Sequence, residues 1–467
     1  MRIIFDLDAN RELLTKVFSD FQRQYHINFH MWLYYNGITD VGHTYDMSAD
    51  GSYSDIFVNE FSLNAQGVGE YSYINDRNNN KISTNFIGKF VDEETSYSIG
   101  QNLNYISHSG DSKITEAIRL NLANWKEDHD VKLMKDMLIY SKAFELYYID
   151  KDANFSSQII SPRHGIAYTS ECDEPIFFLH IFRNSYETKQ CVDVYTDSEI
   201  IHCDETFNEL GRCSHPFGEV PIGIATLSED GWLGTLYHKC KGLQDAYERN
   251  LSDVSQEIGE FRNSYLVLNN LALQDEDIVT MKKKGVMETK GKDGSASWLE
   301  KNVNDAFLQN TLKTIEDKLY QISCHLNHND KISSNVSSLA IRAKLISLEE
   351  KCRLNEKALT NTIKTRLRML FSYINSLKST SYDVRDVRVK WTANIPSDDL
   401  TNATIVTALG DKLSTETALS LFSFIDNPAN EVKKAKEETK ANSIGAGLLN
   451  PPMIGGGVSE SKQGLPK

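Results

Sequence analysis

Three stretches between Trp232 and Leu377 repeat apolar residues every three or four positions, over lengths that few globular helices reach. The first runs Leu236, Cys240, Leu243, Tyr247, Leu251, Val254, Ile258, Phe261, Tyr265, Leu268. The second runs Leu308, Leu312, Ile315, Leu319, Ile322, Leu326, and the third Leu345, Leu348, Cys352, Leu359, Ile363, Leu367, Leu370, Ile374, Leu377. This is the period of one helix face. A helix of roughly 35–40 residues is about 50–60 Å long, against an ordinary length of about 11–12 residues. Helices of this kind build struts and ring walls more readily than catalytic pockets. One chain also cannot bury opposite faces of two such neighbours, whereas a cyclic array of copies closes those faces against one another.

The rest of the sequence narrows the class. The chain has 467 residues, room for two to four structural regions, and a formal net charge of -15. A protein that grips nucleic acid through phosphates usually has the opposite sign; the charge does not exclude DNA as a passenger, because an acidic wall repels phosphate and resists sticking. Seven scattered cysteines with no CxxC pair point to a reducing compartment and no disulfide framework. The start MRIIFDLDANRE is too short in apolar residues for a signal peptide, and no apolar run reaches bilayer length. Folding in a cytoplasm, with no membrane partner, is the expectation.

Along the chain, helices are expected at 10–35, near Ser83–Thr95, near Ile114–Trp125 and at Lys132–Lys142, with loops and irregular strands over 36–82. Ala143–Ile224 reads as an antiparallel sheet of about six strands. Leu271–Asn302 is a compact insert. Within it Ile278–Met281 suits a short helix, and GVMET and SASWLE suit two strands about the turn Lys290–Gly294. His328–Ser338 is a polar loop between the second and third helices. Tyr382–Trp391 alternates as a half-buried strand. Short helices are expected after Ser397, after the cap-like Ser414 and after Asn427-Pro428. The stretch from Asn442 holds six glycines and three prolines and should be flexible.

Catalytic signals are thin. His202, Cys203, Asp204, Cys213 and His215 cluster, but the two cysteines are ten positions apart, not the C-x₂₋₄-C of a zinc site. There is no GxSxG, HExxH or P-loop, and GKDG at Gly291–Gly294 reads as a turn. No metal, cofactor or catalytic residue is assigned. A metal-dependent enzyme with a β-rich domain is the weaker alternative. Basic residues gather between Leu339 and Leu377: Arg342, Lys344, Lys351, Arg353, Lys357, Lys364, Arg366 and Arg368, against Glu349, Glu350 and Glu356. They suit a solvated face or one toward an acidic neighbouring copy, or a helix near nucleic acid. Asp275, Glu276, Asp277, Lys282, Lys283 and Lys284 offer either plain surface charge or a docking surface.

Six blocks in order resemble the portal proteins of tailed bacteriophages, of the type found in siphophages of Gram-positive hosts. They are NNNKISTNFIGKFVDEETSYSIGQNLNY at 78–105, KAFELYYIDKDANFSSQIISPRHGIAYT at 142–169, FGEVPIGIAT at 217–226, LQDAYERNLSDVSQEIGEFRNSYLVL at 243–268, SSLAIRAKLISLEEKC at 337–352 and LSTETALSLFSFIDNPANEVKKAKEE at 413–438. The fourth is the most specific. Where that family often has glycine before its longest helix, this chain has Ser338.

The resemblance implies an α+β portal fold assembled as a ring, usually of twelve subunits, at one capsid vertex. Residues 1–232 would form a wing, 233–270 and 304–327 two stem helices, and 271–303 a small α/β clip. A tunnel loop would follow at 328–338, then a long wing helix and strand at 339–396, a helical crown at 397–441 and a flexible tail at 442–467. DNA would be packaged and ejected through the ring. The clip (Asp275, Glu276, Asp277, Lys282, Lys283, Lys284, Trp298) would dock the large terminase subunit and then the head-completion adaptor. The tunnel loop (Asn329, Asp330, Lys331, Ile332, Ser333, Ser334, Asn335, Val336) would touch double-stranded DNA without sequence preference. Major capsid and scaffolding proteins would be further partners, with assembly in the host cytoplasm and a place in the virion. Another ring-forming head–tail connector component is the nearest alternative.

Overall fold

The computed structural model describes residues 5–41, 45–47, 53–55, 60–63, 69–72, 81–100, 102–187, 189–261, 266–269, 295–298, 305–327, 338–391, 399–419, 421–422 and 431–439. Two compact units divide the chain, 1–394 and 395–467.

The first unit is layered. Helix α1 (Leu7–Tyr35) begins where the Asp6 carboxylate accepts the Asp8 and Ala9 amides at 3.0 and 3.1 Å, satisfying donors that have no helical partner. Its early apolar face, Leu7, Leu14, Val17 and Phe21, packs on Phe177, Leu179, Val192, Val194 and Ile201 of an antiparallel sheet. That sheet contains β8 (Gly165–Thr169), β9 (Pro175–Phe182), β10 (Cys191–Tyr195), β11 (Glu199–Asp204) and β12 (Glu209–Ser214), in the order β12-β11-β10-β9-β8. Side chains alternate across a strand, so Phe178 and Tyr195 point the other way. They meet Phe144, Leu146, Ile160 and Ile222 of a second sheet. This one is β13-β6-β7, formed by Ile222–Thr226, Lys142–Ile149 and Phe155–Ile160. Alternation places Ala143, Glu145 and Tyr147 on its far face. There they meet the longest helix, α7 (Ser338–Lys378, 41 residues). The order is therefore α1, five-stranded sheet, three-stranded sheet, α7.

The single expected sheet of about six strands is thus eight strands in two sheets. Two hairpin turns account for the extra strands. The Asp150 carboxylate accepts the amides of Asp152 and Asn154 at 2.9 and 2.8 Å, and Asp204 does the same for Thr206 and Asn208. Such Asx turns reverse a chain within a few residues; the one at Asp150–Asn154 is the turn that its Asp-Lys-Asp-Ala-Asn run signals. The split into two sheets follows from β13 returning to pair with β6.

The first unit holds further elements. Short pairs β1–β2 (Tyr45–Met47, Tyr53–Asp55) and β3–β4 (Glu60–Leu63, Gly69–Ser72) lie within 36–82. Helices α2 (Phe86–Ile99), α3 (Ser112–Leu122) and α4 (His129–Tyr140) sit close to their expected positions. Strand β5 (Asn104–Ser107) pairs with β16 (Val387–Lys390), joining distant parts of the chain. Helices α5 (Leu236–Phe261) and α6 (Asp305–Ser323) pack on one another and share the largest buried core with α2, α4 and α7.

Helix α5 stops at Phe261, short of the Leu268 to which the periodicity ran. Leu266–Asn269 is strand β14, paired with β15 (Ser295–Trp298). Consecutive Leu266, Val267 and Leu268 break the three-four spacing, and a two-sided apolar run suits a strand. The expected strand in SASWLE is present, with β14 as its described neighbour; GVMET, the Lys290–Gly294 turn and Ile278–Met281 lie outside the described residues.

In the second unit, α8 (Asp399–Leu409) is followed by α9 (Thr415–Leu419), capped by Ser414, whose hydroxyl accepts the Thr417 amide at 3.2 Å. A further helix, α10, covers 431–439. The stretch 442–467 lies outside the described residues.

Candidate functional site

The long helices meet around three buried polar nodes. The first lies on α5. Gln244, Glu248 and Ser252, spaced four apart, form one row on the helix and are buried. Glu248 accepts from the Thr39 hydroxyl, the Thr84 amide and hydroxyl (both 2.8 Å) and Gln244 (3.0 Å). Ser252 accepts the Ile82 amide at 2.9 Å. Both ends of the 41–81 excursion are therefore pinned to α5. Beside them Lys241 bridges Asp40 (2.7 Å) and Asp245 (2.6 Å), and the Tyr34 hydroxyl donates to Asp245. Burial alone would pull Lys241 down, but the two carboxylates carry it above its ordinary range.

The second node joins the end of α6 to α2 and α7. Cys324 takes a left-handed conformation (φ 64°) and turns the chain. His325 then inserts with its ring stacked on Phe90, centroids 4.4 Å apart. Its Nδ1 faces the Ser323 carbonyl at 2.8 Å and its Nε2 the Phe90 carbonyl at 3.1 Å. Burial, then the Lys351 charge, push its pKa down to about 3, so the ring is neutral and donates through one nitrogen. Lys351 bonds the Ser323 carbonyl (3.1 Å) and the buried Glu94 (2.5 Å); Asn355 donates to the other Glu94 oxygen at 2.7 Å.

The third node ties α7 to the sheet. Arg366 is 1% exposed and pairs with the fully buried Glu145 (2.7 Å) and with Asp130 (2.6 Å). Its guanidinium lies over the Trp125 ring at 5.1 Å. Glu145 also receives His129 (2.9 Å), the Tyr147 hydroxyl (2.9 Å) and Ser157 (3.3 Å). Burial pushes the Glu145 pKa up, but the Arg366 charge and His129 outweigh it and hold it low.

These nodes correct the reading of the basic helix. Arg366, Lys351, Arg353 and Arg368 are committed within the chain, to Glu145 and Asp130, Glu94, Glu349 and Glu219 respectively. Lys357 and Lys364 remain exposed. The first apolar stripe also needs correction. On α5 the buried row is Leu236, Cys240, Gln244, Glu248, Ser252, whereas Leu243, Tyr247, Leu251 and Val254 are half-buried and Ile258 is 63% exposed. Polar residues spaced four apart were a signal for that buried row. Nothing local marks Arg366 as buried except its place in the stripe between Ile363 and Leu370.

Of the residues singled out from sequence, Asn329, Asp330, Lys331, Ile332, Ser333, Ser334, Asn335 and Val336 lie outside the described residues, as do Asp275, Glu276, Asp277, Lys282, Lys283 and Lys284. Trp298 ends β15, opposite Leu266. In the His/Cys cluster, His202 and Cys213 come within 3.8 Å on adjacent strands, while His202 bonds Asp193 at 2.7 Å. Cys203 turns into the core and His215 bonds the Thr196 carbonyl, so the cluster does not converge. Among the described residues no group of three His, Cys, Asp or Glu is placed to hold a metal ion, and no helix is long and apolar enough to cross a membrane.

A family model described as "Phage portal protein, SPP1 Gp6-like" matches residues 14–444. The chain belongs to that family. It is a portal or connector component of a phage-type particle, in a structural, non-enzymatic family. Two solved structures are similar to it. A chain in the neck of an empty GTA particle computed with C6 symmetry is 10% identical with a TM-score of 0.46, and the match covers 72% of this chain and 89% of that one. A chain from the virion of a native gene transfer agent particle is 8% identical with a TM-score of 0.44, over the same shares. No curated relative matches the sequence. In a portal protein the polar nodes act as fixed joints: they hold α2, α5, α6 and α7 in one frame within the first unit.

Proposed function

We propose that this portal protein assembles as a closed ring, of twelve copies in the particle, at one capsid vertex, and that the genome is packaged and ejected through its centre. The observation that carries this is apolar exposure on the helix pair: Ile258 on α5 is 63% exposed and Ile322 on α6 is 46% exposed. Large side chains in that state on two adjacent helices call for a partner surface, and copies of the same helices around an axis supply one. The acidic balance of the chain keeps passing DNA from adhering.

Within that ring the segment 328–338 meets DNA, with Lys331 on phosphate and Asn329, Ser333, Ser334 and Asn335 making weak contacts that carry no sequence information. The segment 271–303 receives the large terminase subunit and later the head-completion adaptor, through Asp275–Asp277 and Lys282–Lys284. Major capsid and scaffolding proteins surround the ring during assembly in the host cytoplasm. Two variants test the division of labour. Deleting Lys331–Asn335 should leave rings intact and reduce the length or retention of packaged DNA. Reversing Lys282, Lys283 and Lys284 to Glu should leave rings intact and reduce packaging initiation. Full-length genomes at wild-type yield in both would remove these assignments.

A further inference from the structure

The layer order gives the first unit two unlike sides, and each carries exposed charge, of opposite sign, that has no ion pair among the described residues. On one side is the outer face of α7. Thr362 lies against Gly223 of β13 and Arg366 bonds Glu145 of β6, which fixes the sheet-facing side of the helix. Lys364 is two residues from each, about 200° round the helix at 3.6 residues per turn. It therefore points away from the sheet. Lys357 shares that outer face, with Leu354 three residues before it, 65% exposed. Neither lysine has an ion pair among the described residues, although Arg353 and Arg368 on the same helix do.

On the other side of the three-stranded sheet stands the five-stranded sheet. Its β8–β9 turn holds Glu171, Asp173 and Glu174, all exposed, with Ile176 beside them 44% exposed. These three carboxylates also lack an ion pair among the described residues. Elsewhere in that sheet Glu199 and Glu209 are neutralised by Arg212.

We propose that Lys357 and Lys364 on the outer face of α7 receive the Glu171–Glu174 turn of a second copy of this chain, with Leu354 and Ile176 adding apolar contact beside the charges. The contact rests on the ring reading and deepens it. Two different patches, one in each of the layers that flank the three-stranded sheet, make a head-to-tail interface, the kind that closes into a ring. Each patch sets an exposed leucine or isoleucine beside charged groups, and exposed Glu350 lies on the same line of α7 as the two lysines; this mixture matches a protein surface rather than the phosphates of DNA. Complementary charge of this sort sets register and partner choice more than raw affinity.

The test is a charge exchange on the full-length protein. Lys357→Glu with Lys364→Glu, and separately Glu171→Lys with Asp173→Lys and Glu174→Lys, place like charges together. All five positions are exposed, and circular dichroism of each variant checks the fold. By sedimentation velocity, each set alone should raise the concentration needed for ring formation about tenfold or more, because opposed like charges disfavour docking. The combined five-site variant should return toward wild type, and the defect of the single sets should shrink in about 0.5 M salt. Rings of unaltered stability in both single sets would overturn this contact while leaving the ring reading in place. A wild-type protein that stays monomeric would remove the ring reading and the contact with it. Intact rings with impaired DNA packaging in the lysine set would assign that face to DNA and overturn the proposal.

Discussion

Replacing Arg366 with Met should be the most damaging single change on the long helix. The side chain is 1% exposed and its partner Glu145 is fully buried. Methionine matches the aliphatic stem but leaves a buried carboxylate without its cation. Breaking a buried pair from one side costs about 3–5 kcal/mol, because the remaining charge keeps its desolvation penalty. Glu145 still has His129, Tyr147 and Ser157 as donors, so the loss should fall at the lower end, about 3 kcal/mol. The second partner, Asp130, is part-exposed and adds little. The double variant Glu145→Gln with Arg366→Met removes both charges and should recover most of that loss. The assay is urea denaturation followed by circular dichroism, at one fixed protein concentration because assembly contributes to apparent stability. The reasoning fails if Arg366→Met costs less than about 1 kcal/mol, or if the double variant is no more stable than the single one.

Two further outcomes follow from the same geometry. A Cβ on Gly223 would sit 2.4 Å from the Tyr147 hydroxyl and 2.8 Å from a Thr362 methyl; Gly223→Ala should therefore push α7 off the sheet and cost about 1–3 kcal/mol, checked by the same denaturation. His325 is buried neutral with its pKa near 3, against about 6.5 in an unfolded chain. Its contribution is intact above pH 6.5 and is lost as pH falls, since the unfolded state takes up the proton first; the loss should reach about 2 kcal/mol by pH 5. His325→Gln should flatten that part of the stability–pH curve, and an unchanged slope would refute the assignment.

The helical skeleton was legible because its period is long and regular: α7 covers all of the third stripe, and α6 begins and ends within a few residues of the second. The polar nodes were not legible. Glu145 meets Arg366 and Glu94 meets Lys351 across gaps of 221 and 257 positions in the chain (145 to 366, 94 to 351), and a charged residue within an apolar stripe looks the same whether it is paired inside or solvated. The basic run on α7 misled for that reason: half of it neutralises carboxylates of its own chain. The two-sheet split was hidden because it rests on β13 returning to pair with β6, about 75 residues earlier in the chain, a pairing that no local pattern marks. The Gln244–Glu248–Ser252 row was the missed opportunity. Its spacing of four was visible, and reading it beside the apolar stripe would have shown which face of α5 turns inward.

The most direct test of the central claim is to image the purified full-length protein by electron microscopy and to weigh it by light scattering at micromolar concentration. A closed ring with a central hole, and a mass many times the 53.0 kDa of one chain, is the predicted result. A monomer of 53.0 kDa at every salt concentration, with no ring in the images, would contradict it.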